Sequence, residues 1–116
     1  MGGMPAGRYQ TGLGDVEVLE DGRLVVAGQR QYLAGAALPI TYGVTRIQLA
    51  AGVSQRQAIE MASTIPAGLF DLPVGRLAAG APADLILFRA PQSLEQPLQI
   101  VATILGGELV SGSLPS

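Results

Sequence analysis

The sequence predicts an α+β fold: an N-terminal β-hairpin, two to three helices, then C-terminal β-strands. Three observations carry this reading. Asp21-Gly22 separates two runs in which apolar and polar residues alternate, the pattern of a hairpin. Ser54 and Gln57 stand three residues apart ahead of a helix-periodic segment and form an S-x-x-Q capping box. Gly106-Gly107 separates two apolar runs and marks a second hairpin. A length of 116 residues suits one small domain or a piece of a larger one.

Taken in order, residues 1–7 read as loop, because Gly2, Gly3, Pro5 and Gly7 disfavour regular structure. Residues 8–11 form a short extended piece, and Gly12-Leu13-Gly14 a turn. In the first hairpin Val16 and Val18 share one face while Glu17 points away, and a type I′ turn at Asp21-Gly22 requires positive φ at both residues. Glu17, Glu20 and Asp21 are expected along a solvated edge. Residues 29–35 are polar, then small, and residues 32–38 read as a small-residue loop ahead of a helix.

Thr41 is the expected N-cap of that helix, with Val44, Ile47 and Ala51 at helical spacing and Gly52 as the C′ stop. In the second helix Val53 staples onto Ala58. Ala58, Met61, Ala62 and Ile65 line one apolar face, with Met61 as core filler, and Pro66 ends the run. Residues 67–72 add a further helical turn. Gly75 and Gly80 then allow tight bends, and Pro82 stiffens the approach to Leu85-Ile86-Leu87-Phe88. That continuous apolar run suits a strand buried on both faces. Asp84, just ahead of it, is expected to accept backbone N–H bonds from the turn at residues 80–83. Residues 90–97 are loop, 98–105 and 108–110 the second hairpin, and 111–116 a frayed tail.

Composition narrows the function classes. Charged residues make up 14% of the chain, below the ~25% usual for a soluble domain. Apolar surface is therefore expected to meet another chain or further polypeptide, unless the protein is merely rich in Ala and Gly. The net charge is −2, there is no lysine, and the seven arginines are scattered, so no basic stripe exists for nucleic acid. Without cysteine there is neither disulfide nor thiolate chemistry. Without histidine the chain cannot build the usual catalytic zinc site or nucleophilic triad. No apolar run reaches the ~20 residues of a membrane span, and the Gly-rich N-terminus is not a signal sequence. A cytoplasmic location is expected.

The remaining candidates for chemistry are few. Gly2-Gly3 and Gly12-Leu13-Gly14 lack the strand–helix context and the lysine of a phosphate cradle. The serines have no base to activate them, and the carboxylates show no spacing that pairs them in one cleft. In the stretch at residues 32–38, Ala34 and Gly35 would let a ligand approach the backbone, and the following helix N-terminus favours anions. The same stretch also reads as a plain connector.

One further set of residues carries a resemblance. Gly3-Met4-Pro5-Ala6-Gly7-Arg8-Tyr9, Leu33-Ala34-Gly35, Gly52-Val53-Ser54, Ala58, Met61-Ala62-Ser63 and Pro66-Ala67 occur in that order. They lead into Gly75-Arg76-Leu77-Ala78-Ala79-Gly80-Ala81-Pro82-Ala83-Asp84 and its strand. Together they resemble the C-terminal portion of an amidohydrolase-superfamily enzyme, closest to the N-acetylglucosamine-6-phosphate deacetylases. The resemblance implies that residues 1–72 are the last loop, hairpin and helices of a TIM-type barrel, and 73–116 the C-terminal strands of a small β-sandwich domain. It implies that Leu33, Ala34 and Gly35 contact the amide sugar, largely through backbone, with Ala36 where the family usually has Ser. The family's metal ligands and catalytic Asp would precede Met1. The chain is thus expected to hold no catalytic and no metal-binding residue and to be inactive alone. A zinc-like divalent metal, an amino-sugar phosphate substrate and a homo-oligomer are expected of the full-length parent, with no nucleic-acid or membrane partner. Two alternatives stand beside this: a fragment of another amidohydrolase, dihydroorotase- or imidazolonepropionase-like, and a stand-alone, non-enzymatic, self-associating module.

Overall fold

The computed structural model describes residues 4–36 and 38–115. The loop reading of residues 1–3 and the assignments of Ala37 and Ser116 fall outside them. The chain divides after Ile40 into two compact units.

The first unit is a four-stranded antiparallel sheet in the order β1-β2-β3-β4. Its strands are β1 (Gly7–Thr11), β2 (Gly14–Val18), β3 (Leu24–Val26) and β4 (Gln29–Gly35). As expected, residues 8–11 are extended and Gly12-Leu13 turn the chain, with Thr11 opposite Gly14. The Thr11 hydroxyl closes this turn. It donates to the Gly14 carbonyl at 2.6 Å and accepts the Leu13 N–H at 3.2 Å. Val18 and Leu24 are buried, with Tyr9 and Val16 packed against them, so the alternation in β2 does place Val16 and Val18 on one face. Val25 is fully buried, at 0% exposure.

The β2–β3 hairpin is present, but its turn is not type I′. The Gly22 N–H donates to the Leu19 carbonyl at 2.9 Å and the Leu19 N–H to the Arg23 carbonyl at 2.8 Å. Gly22 takes positive φ (81°), and Asp21 does not. This is the three-residue loop, Glu20-Asp21-Gly22, in which a tight turn ends on a left-handed glycine. Asp21 serves it through its side chain, accepting the Arg23 N–H at 3.0 Å.

A second departure lies at residues 32–35, which are not loop. They belong to β4, which pairs with β3. A polar, then small sequence without alternation gives no strand signal, because β4 is an edge strand with every residue exposed.

The second unit begins one residue into the first of three helices, α1 (Ile40–Ala51), α2 (Gln55–Ala62) and α3 (Thr64–Leu69). Helix α1 starts before Thr41, so Thr41 is not its cap. Gly52 ends it as expected, with φ 66° and its N–H on the Gln48 carbonyl at 2.9 Å. The capping box of α2 is complete: the Gln57 N–H donates to Ser54 Oγ at 3.2 Å and the Ser54 N–H to Gln57 Oε1 at 2.9 Å. Val53 packs on the cluster that contains Ala58, as the staple requires.

The buried face of α2 differs from the expected one. Val44, Ala58 and Leu98 form the core, covered by Ile47, Val53, Ile59 and Phe88. Met61, Ala62 and Ile65 are exposed, Met61 at 48%, so Met61 does not fill this core. Pro66 does not end a helix either. Helix α2 stops at Ala62, and Pro66 sits in the first turn of α3, where its missing N–H had no helical partner to lose. Helix α3 closes in a Schellman motif. The Leu72 N–H reaches the Ala67 carbonyl at 2.9 Å and the Asp71 N–H the Gly68 carbonyl at 3.4 Å, with Asp71 left-handed at φ 51°.

A three-stranded antiparallel sheet, β5-β6-β7, completes the unit, from β5 (Leu85–Arg89), β6 (Gln99–Leu105) and β7 (Glu108–Gly112). Ahead of it, Gly80 (φ 81°) follows Ala78-Ala79 in a turn closed by the Ala81 N–H on the Ala78 carbonyl at 3.1 Å. Strand β5 is not buried on both faces: it lies at the sheet edge and Ile86 is 50% exposed. Gly106 and Gly107 both take positive φ (58° and 88°) between paired Leu105 and Glu108, so this hairpin does carry the expected two-residue turn. The tail is more ordered than its composition suggests. Ser111 and Gly112 belong to β7, and the Ser113 N–H donates to the Val101 carbonyl at 3.2 Å.

Asp84 has the backbone role expected of it but a different partner. Its Oδ1 accepts the Gly106 N–H at 2.8 Å, 22 residues away, while the Ala83 carbonyl accepts the Gly107 N–H at 3.0 Å. The motif ahead of β5 therefore fastens the β6–β7 turn. Asp84→Ala is expected to lower the thermal midpoint by about 4–8 °C, the scale of one hydrogen bond in a domain this size. Asp84→Asn keeps an acceptor oxygen and should lower it less. Equal midpoints for the two variants in a melting curve would show that the carboxylate does not hold the turn.

Candidate functional site

Strand β4 carries all three residues expected to meet a ligand, and its pairing is irregular. Val26 lies opposite Gln29, Val25 opposite Leu33, and Leu24 opposite Gly35, with a register shift between each pair and the next. Arg30, Gln31 and Tyr32 bulge between the first two pairs, and Ala34 between the second two. Bulges of this kind re-aim side chains and interrupt ladders, and they gather near functional sites.

The second bulge borders a concavity of about 570 Å³. Its lining comes from the β1–β2 turn and the start of β2, from Leu24 and Val26 of β3, and from Ala34, Gly35 and Ala36. Ala34 and Gly35 are thus brought together at one surface. Leu33 is exposed beside them but does not line it. Gly35 has φ 151°, and a Cβ there would come 3.3 Å from Leu24 Cδ2. A side chain at 35 would therefore press on the sheet's buried leucine. Small residues here leave backbone accessible to a ligand.

A charged pair that the sequence does not announce joins β4 to β2. Arg30 donates to Glu17 from Nη2 at 2.7 Å and from Nε at 3.4 Å. Glu17 was expected on a solvated edge, yet its side chain is only 12% exposed. The two residues lie on β2 and β4, with β3 between, so no local spacing announces them. Asp21 and Arg23 form a second, more exposed pair at 2.8 Å. Both pairs border a polar concavity of about 500 Å³.

The hydrogen bond from Arg30 holds the Glu17 carboxyl below the ordinary glutamate range, helped by the charges of Arg30 and Arg8. Asp21 is likewise lowered, first by the Arg23 backbone N–H and then by its side chain. A carboxylate lowered in the folded state adds stability that is fully present above its ordinary pKa. That stability is lost as pH falls through the lowered value. Thermal midpoints should therefore fall with acidification below the ordinary carboxylate range. Glu17→Gln should flatten part of that slope, and Glu17→Gln with Asp21→Asn more of it. An unchanged acid slope in the double variant would contradict this.

In the second unit a smaller concavity of about 320 Å³ is lined mainly by Ile59, Leu77, Leu85, Ile86 and Phe88, with Arg76 and Asp84 among its polar members. It holds no nucleophile with a base. Among the described residues no three His, Cys, Asp or Glu side chains converge on one point, and the sequence has no His or Cys. This donor set does not fit the zinc-like ion that the resemblance implies.

The profile of the amidohydrolase family matches residues 16–110. The human N-acetylglucosamine-6-phosphate deacetylase is 34% identical over 110 residues, covering 93% of this chain and 25% of that protein. The rat protein of the same name matches to the same extent. Among solved structures, the deacetylase of Pasteurella multocida superposes with a TM-score of 0.76 at 18% identity, covering 96% of this chain and 27% of that one. A point variant of the Mycobacterium smegmatis deacetylase, in complex with N-acetyl-D-glucosamine-6-phosphate, gives a TM-score of 0.73 at 29% identity over 93% and 27%. The chain therefore spans about a quarter of the length of the curated relatives it matches.

Proposed function

This chain belongs to the amidohydrolase family, and from that premise we propose that it is the C-terminal portion of a metal-dependent enzyme that deacetylates N-acetylglucosamine 6-phosphate. The observation that carries this reading is the 34% identity to deacetylases of that name over 93% of the chain. The irregular strand bearing Leu33, Ala34 and Gly35 supports it.

In this reading residues 1–72 belong to the last loop, hairpin and helices of the catalytic barrel, and 73–116 to strands of the small β-domain. Leu33, Ala34 and Gly35 face the amide sugar mainly through backbone groups, which the small side chains of Ala34 and Gly35 leave open. The metal ligands and the proton-transferring carboxylate come from polypeptide outside these residues. The chain's own part is to form one wall of the pocket and support it. The parent works in the cytoplasm as a homo-oligomer. The low charged fraction and exposed apolar side chains such as Leu69, Phe70 and Leu77 support a partner surface.

Two measurements test the reading. The purified chain, given zinc and N-acetylglucosamine 6-phosphate, should release no acetate beyond the rate of buffer alone. Sustained metal-dependent release would overturn the division of labour. A chimera in which this chain replaces the corresponding quarter of the human deacetylase should release acetate from the sugar phosphate. A soluble, cooperatively folding chimera without activity would overturn the assignment.

A further inference from the structure

We propose that Glu17 and Arg30 are a positioning pair: their two-point contact across the sheet sets where Leu33, Ala34 and Gly35 lie on β3. The significance of those three residues rests on the functional reading above. The positional claim does not.

The argument starts from the ladder. In a regular antiparallel pair each residue is held by its neighbours' hydrogen bonds, so register needs no other device. Strand β4 lacks that security. Of its seven residues, Gln29, Leu33 and Gly35 have partners on β3, and the register shifts between each. Arg30-Gln31-Tyr32 could slide by a residue without breaking a ladder pair of their own. Such a slip would carry Leu33 and Gly35 off Val25 and Leu24. Every β4 residue is exposed, so burial does not resist the slip either.

Arg30 stands at the start of the unpaired stretch. Its guanidinium reaches past β3 to a Glu17 that is itself fixed, opposite Arg8 on β1 and Val25 on β3. Two donors on one carboxylate fix direction as well as distance, which a lysine could not do. The Glu17 end of the pair is largely covered while the Arg30 end is 67% exposed, so water competes for the contact chiefly from the guanidinium side. The pair thus supplies, at one point, the register that the ladder leaves open, three residues before Leu33.

The test is amide hydrogen exchange on the whole chain, without ligand, in Arg30→Gln, Glu17→Gln and the swapped double variant Glu17→Arg with Arg30→Glu. Each single variant should speed exchange at Leu33 and Gly35 by about tenfold, a local opening, while the amides of β1 and β2 change less than about twofold. Arg30→Lys should resemble Arg30→Gln, and the swapped variant, made together with Arg8→Ala to remove the like charge opposite position 17, should return exchange toward the starting rate. Unchanged β4 exchange, or the same acceleration throughout the sheet, would overturn the proposal. A variant that unfolds would show that uniform acceleration and count against it. Because no sugar is present, these outcomes are independent of the chimera's activity. Only in an active chimera would Arg30→Gln be expected to raise KM with kcat kept.

Discussion

Gly75→Ala should destabilise the second unit by about 2–5 kcal/mol, joining left-handed strain of ~1–2 kcal/mol to overpacking of ~1–3 kcal/mol. Gly75 has φ 77°. A Cβ there would lie 3.0 Å from the carbonyl carbon and oxygen of Ser63 and 3.1 Å from Thr64 Cα. These neighbours are backbone, so no side-chain rotation relieves them. They form the joint between α2 and α3, and Ser63 is anchored in turn, its N–H on the Glu60 carbonyl at 3.3 Å and its hydroxyl on the Ile59 carbonyl at 2.7 Å. The Thr64 hydroxyl also donates to the Gly75 carbonyl, so moving residue 75 away breaks a hydrogen bond. The turn is internal to the unit and cannot fray. Gly80→Ala is the control. It has φ 81° with no heavy atom within 4 Å of the added carbon, and should cost only the strain. Urea unfolding of both variants separates the two contributions. Equal losses would mean that the close approach of residue 75 to the α2–α3 joint contributes nothing.

Where sequence and structure agree, the information is local. The capping box at Ser54, the stop at Gly52 and the Gly-Gly turn each depend on residues within four or five positions, and each formed as read. Where they disagree, the deciding partner is distant. Strand β5 reads as doubly buried from Leu85-Ile86-Leu87-Phe88, but burial needs a cover on each face, and this chain leaves Ile86 half exposed. Met61 and Ile65 are apolar at helical spacing, yet the α2 face that meets Leu98 is set by Ala58 and Ile59. The Asp84 contact spans 22 residues and the Glu17 contact 13, so neither register could be counted from the sequence. Of the candidate site, the residue types were legible, because Ala34 and Gly35 announce an open backbone. The bulged strand that presents them was not, since an edge strand with no buried face leaves no periodic trace.

Gly112→Ala tests which of two strands gives way. Gly112 has φ 81°, and a Cβ there would sit 2.0 Å from the Val101 oxygen and 2.9 Å from Ala102 Cα, an overlap that cannot persist. Either β6 retreats or β7 leaves. Strand β6 is central, paired on both sides, and its Ala102 is buried, so its retreat would disturb β5 as well. Strand β7 is an edge whose five residues are all exposed, so detaching its end uncovers almost no apolar surface. What detachment gives up is the pairing of Thr103 with Ser111 and of Ala102 with Gly112, and the Ser113 N–H bond to Val101. At ~1 kcal/mol for each hydrogen bond, the loss is about 2–3 kcal/mol, less than opening the sheet from its centre. The expected result is therefore selective. Amides of residues 111–113 should exchange at nearly unfolded rates in Gly112→Ala. Those of Leu109 and Gly106 should stay protected, because Ala83 and Asp84 hold the Gly106-Gly107 turn from the other side. Protection lost equally across β5, β6 and β7 would show that the central strand yields first. The Asp84 anchor would then be too weak to isolate the turn from the strand end.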